Sequence, residues 1–180
     1  MMKKSFKRSF KTRGAVAPSS PQLIKKMLDE IDFSSSDVIV EYGIGDGCFT
    51  EEILRRMKPS AKLVCFEIDP KFCEIVKAKI KDDRLVLLET GAEHVTEELH
   101  KLNIQQADAV VSSLPLAVID KSIVKRILSQ SVRLLSKGKL YLQYQYSLTN
   151  FKDVKSYFAH VKRKVEIINI PPAVIYICKN

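Results

Sequence analysis

The stretch Val38-Ile-Val-Glu41-Tyr-Gly43-Ile-Gly45-Asp-Gly47 decides how this chain reads. Three branched apolar residues open a short buried strand. Three glycines at alternate positions follow, where the backbone can turn tightly and approach a ligand closely. Phe49, Ile53, Leu54 and Met57 then recur at helical spacing. This order puts unpaired helix N–H groups beyond the carboxyl end of a strand, where open α/β sheets bind ligands.

Working outward, the same alternation repeats. Ser20-Pro21 and Asp69-Pro70 each pair an N-cap side chain with proline at the first helical position. Leu23, Ile24, Met27, Leu28 and Ile31 form the apolar face of the first helix, and Phe72, Ile75 and Val76 that of the second. Strands are expected over 37–41, 62–66, 84–88, 107–112 and 139–146. Helices are expected near 93–102, from Asp120 through Leu135, and over 151–159. Two β-rich runs, 164–170 and 173–178, flank Pro171-Pro172 with no room for a helix between them, so they should pair antiparallel. The fold class is α/β: a mostly parallel, seven-stranded Rossmann-like sheet with a C-terminal antiparallel hairpin and helices on both faces.

Composition excludes other classes. The chain has 180 residues, enough for one ordinary domain, and 46% are hydrophobic with only 6 glycines, so it is neither disordered nor fibrous. No apolar run approaches the roughly 20 residues of a membrane span. The basic N-terminus lacks the apolar core of a secretory signal. Cys48, Cys65, Cys73 and Cys178 have no metal-type spacing and read as reduced core thiols of a cytoplasmic protein. Charge is uneven. Residues 1–14 carry six basic groups and no acid, residues 15–98 a net −6, and residues 99–180 a net +9. Such asymmetry points to an anionic partner, a nucleic acid or a membrane surface.

Two acids sharpen the glycine loop. Cys48 stands where a dinucleotide fingerprint needs its third glycine, which disfavours NAD and FAD. Glu41 ends the first strand, where a carboxylate suits the amino end of a methionine-like ligand and repels a pyrophosphate. Glu67 ends the second, where it can accept from both ribose hydroxyls, with Ile68 beside it to pack on an adenine. Together these residues fit S-adenosylmethionine (SAM). The competing reading is a tight turn with two solvated acids.

With these residues in hand, the chain resembles SAM-dependent class I methyltransferases. It is most similar to bacterial-type phospholipid N-methyltransferases and, more distantly, to ribosomal-RNA adenine dimethylases. Four stretches carry the resemblance: Gly14-Ala-Val-Ala-Pro18-Ser-Ser-Pro21, Glu41 through Thr50, Val111-Ser-Ser-Leu-Pro115-Leu, and Asn169-Ile-Pro-Pro172-Ala. The resemblance implies a methyltransferase domain over 21–180 behind a basic segment over 1–20. It implies a cofactor cradle of Glu41, Tyr42, Gly43, Gly45 and Gly47, with Glu67 and Ile68 at the ribose and adenine and Pro18 folding over the cofactor. Ser112 and Ser113 would lie at the methyl-transfer end, with Leu114, Pro115 and Leu116 as its wall. Tyr146 would face the substrate. Tyr146 and Ser113 are the candidate catalytic residues, although Tyr146 also reads as a sheet tyrosine filling the edge of the core.

Two departures from these families matter, the first at the cofactor's adenine and the second at the substrate. Relatives carry an Asp-Ala pair after the third strand whose acid contacts the adenine amino group. Here the pair is Gly91-Ala92, and Glu89 or Glu93 is the available substitute. RNA dimethylases carry an Asn-Leu-Pro-aromatic motif that binds the target amine and stacks its base. This chain has Ser113-Leu114-Pro115-Leu116. Leucine cannot stack a flipped base as an aromatic ring does.

Methyl transfer to an amine needs positioning more than a strong base, and His94, His100 and His160 show no metal-ligand spacing. No metal is expected. Phe6 and Phe10 among the basic residues of 1–14 suit a short amphipathic segment lying on an anionic lipid surface, peripheral at the inner face of the membrane. A solvated tail is the competing reading. The expected activity is therefore N-methylation of a phosphatidylethanolamine-type headgroup. The alternatives are methylation of RNA adenine or a small molecule, or an inactive SAM-fold binding module. The acceptor, the number of methyl groups transferred and the oligomeric state are left open.

Overall fold

The computed structural model describes residues 19–180. In chain order it contains α1 (Pro21–Leu28), β1 (Val38–Tyr42), α2 (Cys48–Arg56), β2 (Lys62–Phe66), α3 (Pro70–Lys79) and β3 (Leu85–Leu88). A 3₁₀ turn (Ala92–His94) leads into α4 (Val95–Lys101), then β4 (Ala107–Ser112), α5 (Lys121–Leu134), β5 (Leu135–Gln145), α6 (Phe151–Tyr157), β6 (His160–Glu166) and β7 (Ala173–Lys179). The strands form one sheet in the order β3-β2-β1-β4-β5-β7-β6, and β7 alone runs opposite to the other six.

Local chemistry explains the helix starts. The Ser20 hydroxyl accepts from the Leu23 N–H at 3.1 Å with Pro21 following it. Asp69 accepts from Lys71 N–H at 3.0 Å ahead of α3, and Asp120 from Ser122 N–H at 2.8 Å ahead of α5. Each cap satisfies a helix N–H that has no intrahelical partner.

Strand alternation sends side chains to two cores. On one face Ile39, Leu63, Ala109, Val111 and Leu142 pack under α1, α2 and α3. On the other, Val40, Val64, Phe66, Val110 and Tyr141 pack under α4, α5 and α6. Burying both faces is what a parallel sheet requires.

Two boundaries differ from the sequence reading. The closing hairpin pairs 160–166 with 173–179, so the first run begins earlier and residues 167–172 form its loop. Ile167, Ile168 and Ile170 suit a strand by composition, but the buried Asn169 side chain donates to the Pro171 carbonyl at 2.8 Å and accepts from Ser20 N–H at 3.0 Å, which bends the chain out of the sheet. Strand β5 begins at Leu135, which sequence periodicity put on the preceding helix. The register against β4 shifts between Ala107 and Ala109, with Gly138 at φ 82° taking up the irregularity.

Arg84, just ahead of β3, closes the end of α2. Its guanidinium donates to the carbonyls of Leu54 and Met57, each at 2.9 Å, and to both Asp82 carboxylate oxygens. Replacing it should strand those carbonyls. Arg84→Ala is expected to lower stability by about 1.5–3 kcal/mol in urea unfolding, the range for bonds to a charged donor.

Candidate active site

The site forms where β1 ends between β2 and β4. Gly43, Gly45 and Gly47 have φ of 75°, 51° and 87°, in the left-handed region that side chains resist. Gly43 N–H donates to the Phe66 carbonyl at 2.9 Å, and Ser113 N–H donates to the Tyr42 carbonyl at 3.0 Å. The Ser113 hydroxyl also donates to the Gly43 carbonyl. A Cβ on Gly43 would lie 2.9 Å from Ser113 Oγ and 3.1 Å from Leu114 Cδ2, whereas one on Gly45 would meet nothing within 4 Å. Gly45 thus leaves an open face for a ligand, and Gly43 keeps the loop seated on β4.

The two acids differ in environment. Glu41 is 1% exposed. One of its oxygens accepts from Thr50 Oγ1 at 2.8 Å and Cys65 Sγ at 3.3 Å, while Oε1 has no partner among the described residues. Burial pushes its pKa up to about 8, against the hydrogen bonds from Thr50 and Cys65, and the nearby Glu67 charge adds to the rise. Glu67 Oε1 accepts from the N–H groups of Ile68 at 2.8 Å and Asp69 at 2.9 Å, and Oε2 from Gly45 N–H at 3.4 Å. Burial raises this carboxyl as well, opposed by those backbone bonds. An orphaned buried carboxyl oxygen, an open glycine loop and a second acid above it fit a ligand with an ammonium at one end and hydroxyls at the other. SAM is such a ligand: Glu41 would hold its amino group and Glu67 its ribose.

The other expected residues fall as follows. Ile68 is 43% exposed beside Glu67, available to a ring face. The Tyr42 side chain lies in the α4–α6 core, where its hydroxyl bonds Ser131 Oγ at 3.1 Å, so only its carbonyl reaches the loop. Ser112 is fully buried, and its hydroxyl accepts from Leu114 N–H at 3.4 Å, which supports the site without lining it. Leu116 is also buried in that core, so the wall after β4 reduces to Leu114 and Pro115. Ala92 is buried, and the Glu93 carboxylate folds onto Gly91, where a Cβ would lie 2.2 Å from Glu93 Oε2. Glycine at 91 therefore makes room for Glu93. Tyr146 meets Tyr144 edge-on with centroids 5.7 Å apart, and its buried hydroxyl has no partner among the described residues. Pro18 and the basic head lie outside the described residues. Ser19, the next residue, bonds Tyr144 OH at 3.0 Å.

Sequence reading missed Thr50 and Cys65, the Glu41 partners, and Gln143 and Gln145. Register gives a signal for the first case, since Glu41 pairs with Cys65 across β1 and β2. Two glutamines at period two in a central strand were the signal for the second. Their Nε2 groups donate to the Leu114 carbonyl at 3.1 and 2.7 Å and fix the loop after β4.

Fold and site together define a class I SAM-dependent methyltransferase. The family described as ribosomal RNA adenine dimethylase matches residues 4–157, and the chain belongs to it. The chain is 28% identical to an ornithine lipid N-methyltransferase of Singulisphaera acidiphila, covering 92% of this chain and 87% of that one. It is 29% identical to ribosomal RNA small subunit methyltransferase A of Mycoplasma capricolum over 72% of this chain, but spans only 47% of that relative's length. Among solved structures, the N-methyltransferase NodS of Bradyrhizobium japonicum in complex with S-adenosyl-L-homocysteine superposes with TM-score 0.72 at 13% identity, covering 98% of this chain and 97% of that one. A precorrin-6y C5,15-methyltransferase of Geobacter metallireducens superposes with TM-score 0.71 at 13% identity, over 92% and 94% of the two chains. At such identity these two structures speak to the fold alone.

Two outcomes are expected. Gly43→Ala must push Ser113 and Leu114 away at an unfavourable φ, so S-adenosylhomocysteine binding should fall at least about tenfold, roughly 1.4 kcal/mol, by calorimetry. Glu41 keeps its proton in the free protein below pH 8 and should lose it when an ammonium docks. Binding at pH 7 should therefore release a proton to buffer, and affinity should rise from pH 6 toward pH 8. Calorimetry in two buffers of different ionisation enthalpy measures the release, and Glu41→Gln should abolish it.

Proposed function

We propose that this protein N-methylates the amine headgroup of an aminolipid. The observation that carries this reading over base methylation is the loop after β4. Ser113 stands where RNA dimethylases place an amide acceptor, and its short side chain is held back toward the loop by donation to the Gly43 carbonyl. Leu116 stands where they place an aromatic and is 1% exposed, so it offers no face to a base. The ornithine lipid relative, matched over 87% of its length, supports the same reading. RNA methylation is the second reading, favoured by the family match.

When bound, SAM supplies an electrophilic methyl on a sulfonium. The acceptor amine would displace a thioether from that methyl, the thioether keeping the electron pair, and would give up one proton to solvent. Glu41 and the glycine loop fix the methionine end, Glu67 the ribose, and Glu93 stands in for the missing acid at position 91. Tyr146 would orient the acceptor: its buried hydroxyl, unpartnered among the described residues, is free to accept an N–H of the amine. In-line placement supplies most of the rate.

The test is transfer from methyl-labelled SAM into cell extract separated into lipid, RNA and small molecules. Label in aminolipid is expected, and label confined to RNA would overturn the reading. Tyr146→Phe should reduce kcat by about tenfold, the effect of losing roughly 1.4 kcal/mol of orientation, with cofactor affinity unchanged.

A further inference from the structure

The edge of the sheet that carries the site also carries exposed aliphatic side chains. Strands β1, β4, β5 and β6 all run the same way, so the segments that follow them emerge at one edge of the sheet. Val118 after β4, Leu148 after β5, and Ile167, Ile168 and Ile170 after β6 lie on that edge. The three isoleucines are 75%, 62% and 81% exposed.

This is a built feature, since the polar residues of the same loop point inward. Glu166 is buried, pairs with Lys26 at 2.8 Å and accepts from Ile168 N–H at 2.9 Å. Lys26 also donates to the Val165 carbonyl at 2.9 Å. Buried Asn169 ties the loop to Ser20. Polar groups anchor the loop from within and apolar groups face out, the reverse of an ordinary surface turn. Exposed apolar patches of this kind mark sites that meet another apolar phase.

Charge selects that phase. Residues 1–14 carry six basic groups and no acid, and the described chain begins at Ser19, next to Ser20, whose N–H is bonded to Asn169 of this loop. Basic charge next to protruding aliphatic side chains matches the interface of an anionic bilayer. We infer that the 167–170 loop is a membrane-docking element that seats this edge of the sheet, and the site on it, against an anionic lipid surface. This rests on the aminolipid reading and extends it, since a headgroup in the bilayer plane would then face the glycine loop.

The test is co-sedimentation of the full chain with vesicles of phosphatidylglycerol and phosphatidylcholine. Ile167→Ser, Ile168→Ser and Ile170→Ser combined should weaken binding at least about tenfold. Thermal midpoint and S-adenosylhomocysteine affinity should be retained, and Ile75→Ser on α3, away from the edge, should bind as the native chain does. Lys3→Gln, Lys4→Gln and Lys7→Gln combined should also weaken binding, and more so at low salt. Unchanged binding by the isoleucine variant, or no binding by the native chain, would overturn the inference. So would a dimer in sedimentation velocity that the variant dissolves without altering vesicle binding, since a second copy would then be the occupant. Lipid methylation in detergent micelles separates the two ideas. Vesicle binding without lipid methylation would sink the function and keep the docking loop, and micellar methylation without vesicle binding would do the reverse.

Discussion

Everything at the site depends on how the backbone leaves β1. The strand ends between two parallel neighbours, and Gly43 is bonded to both: its N–H to the end of β2 and its carbonyl to Ser113 after β4. Only a residue without a side chain can make that turn, because Ser113 and Leu114 already occupy the space of a Cβ. The loop, the start of α2 and the wall after β4 are thus one hydrogen-bonded unit. Moving any of them moves the surface that would hold the methionine end of the cofactor.

The acids show how the same geometry sets chemistry. Glu41 sits under α2 with one oxygen satisfied by Thr50 and Cys65 and the other left bare. A bare buried carboxyl oxygen is costly, and the cost is reduced either by a proton or by a cationic partner. The site therefore holds a preference for a positively charged group before any ligand arrives. Glu67 is tied to backbone N–H groups at the end of β2 and over the loop, so its position is set by the loop's own path. The net charge of +9 conceals this arrangement, because both acids lie in the part of the chain with net −6.

Much of the fold was legible because its signals are local. Proline after a capping side chain marks a helix start by hydrogen bonding within a few residues, and a short run of branched apolar residues marks a buried strand. The elements that slipped are those governed by distant partners. Leu135 follows a helical period, yet it pairs with Ala107 in the sheet. Residues 167–170 have strand composition, yet Asn169 bonds Ser20 and draws them into a loop. The site divides the same way. Glu41, Glu67 and the glycines announce themselves by spacing. The side-chain directions of Tyr42, Ser112 and Leu116 depend on strand phase and core packing, and these turn all three away from the ligand face.

By itself, then, the sequence determined the alternating α/β order, the glycine turn and the acids that end the first two strands, since each rests on residue chemistry over short spans. Only the tertiary structure decided which hydroxyls are already committed, that Glu93 fills the space above Gly91, and that Glu41 keeps an unpaired oxygen. It also decided that the exposed isoleucines share an edge with the site. Those properties come from residues tens of positions apart, brought together by strand register and by the common direction of β1, β4, β5 and β6.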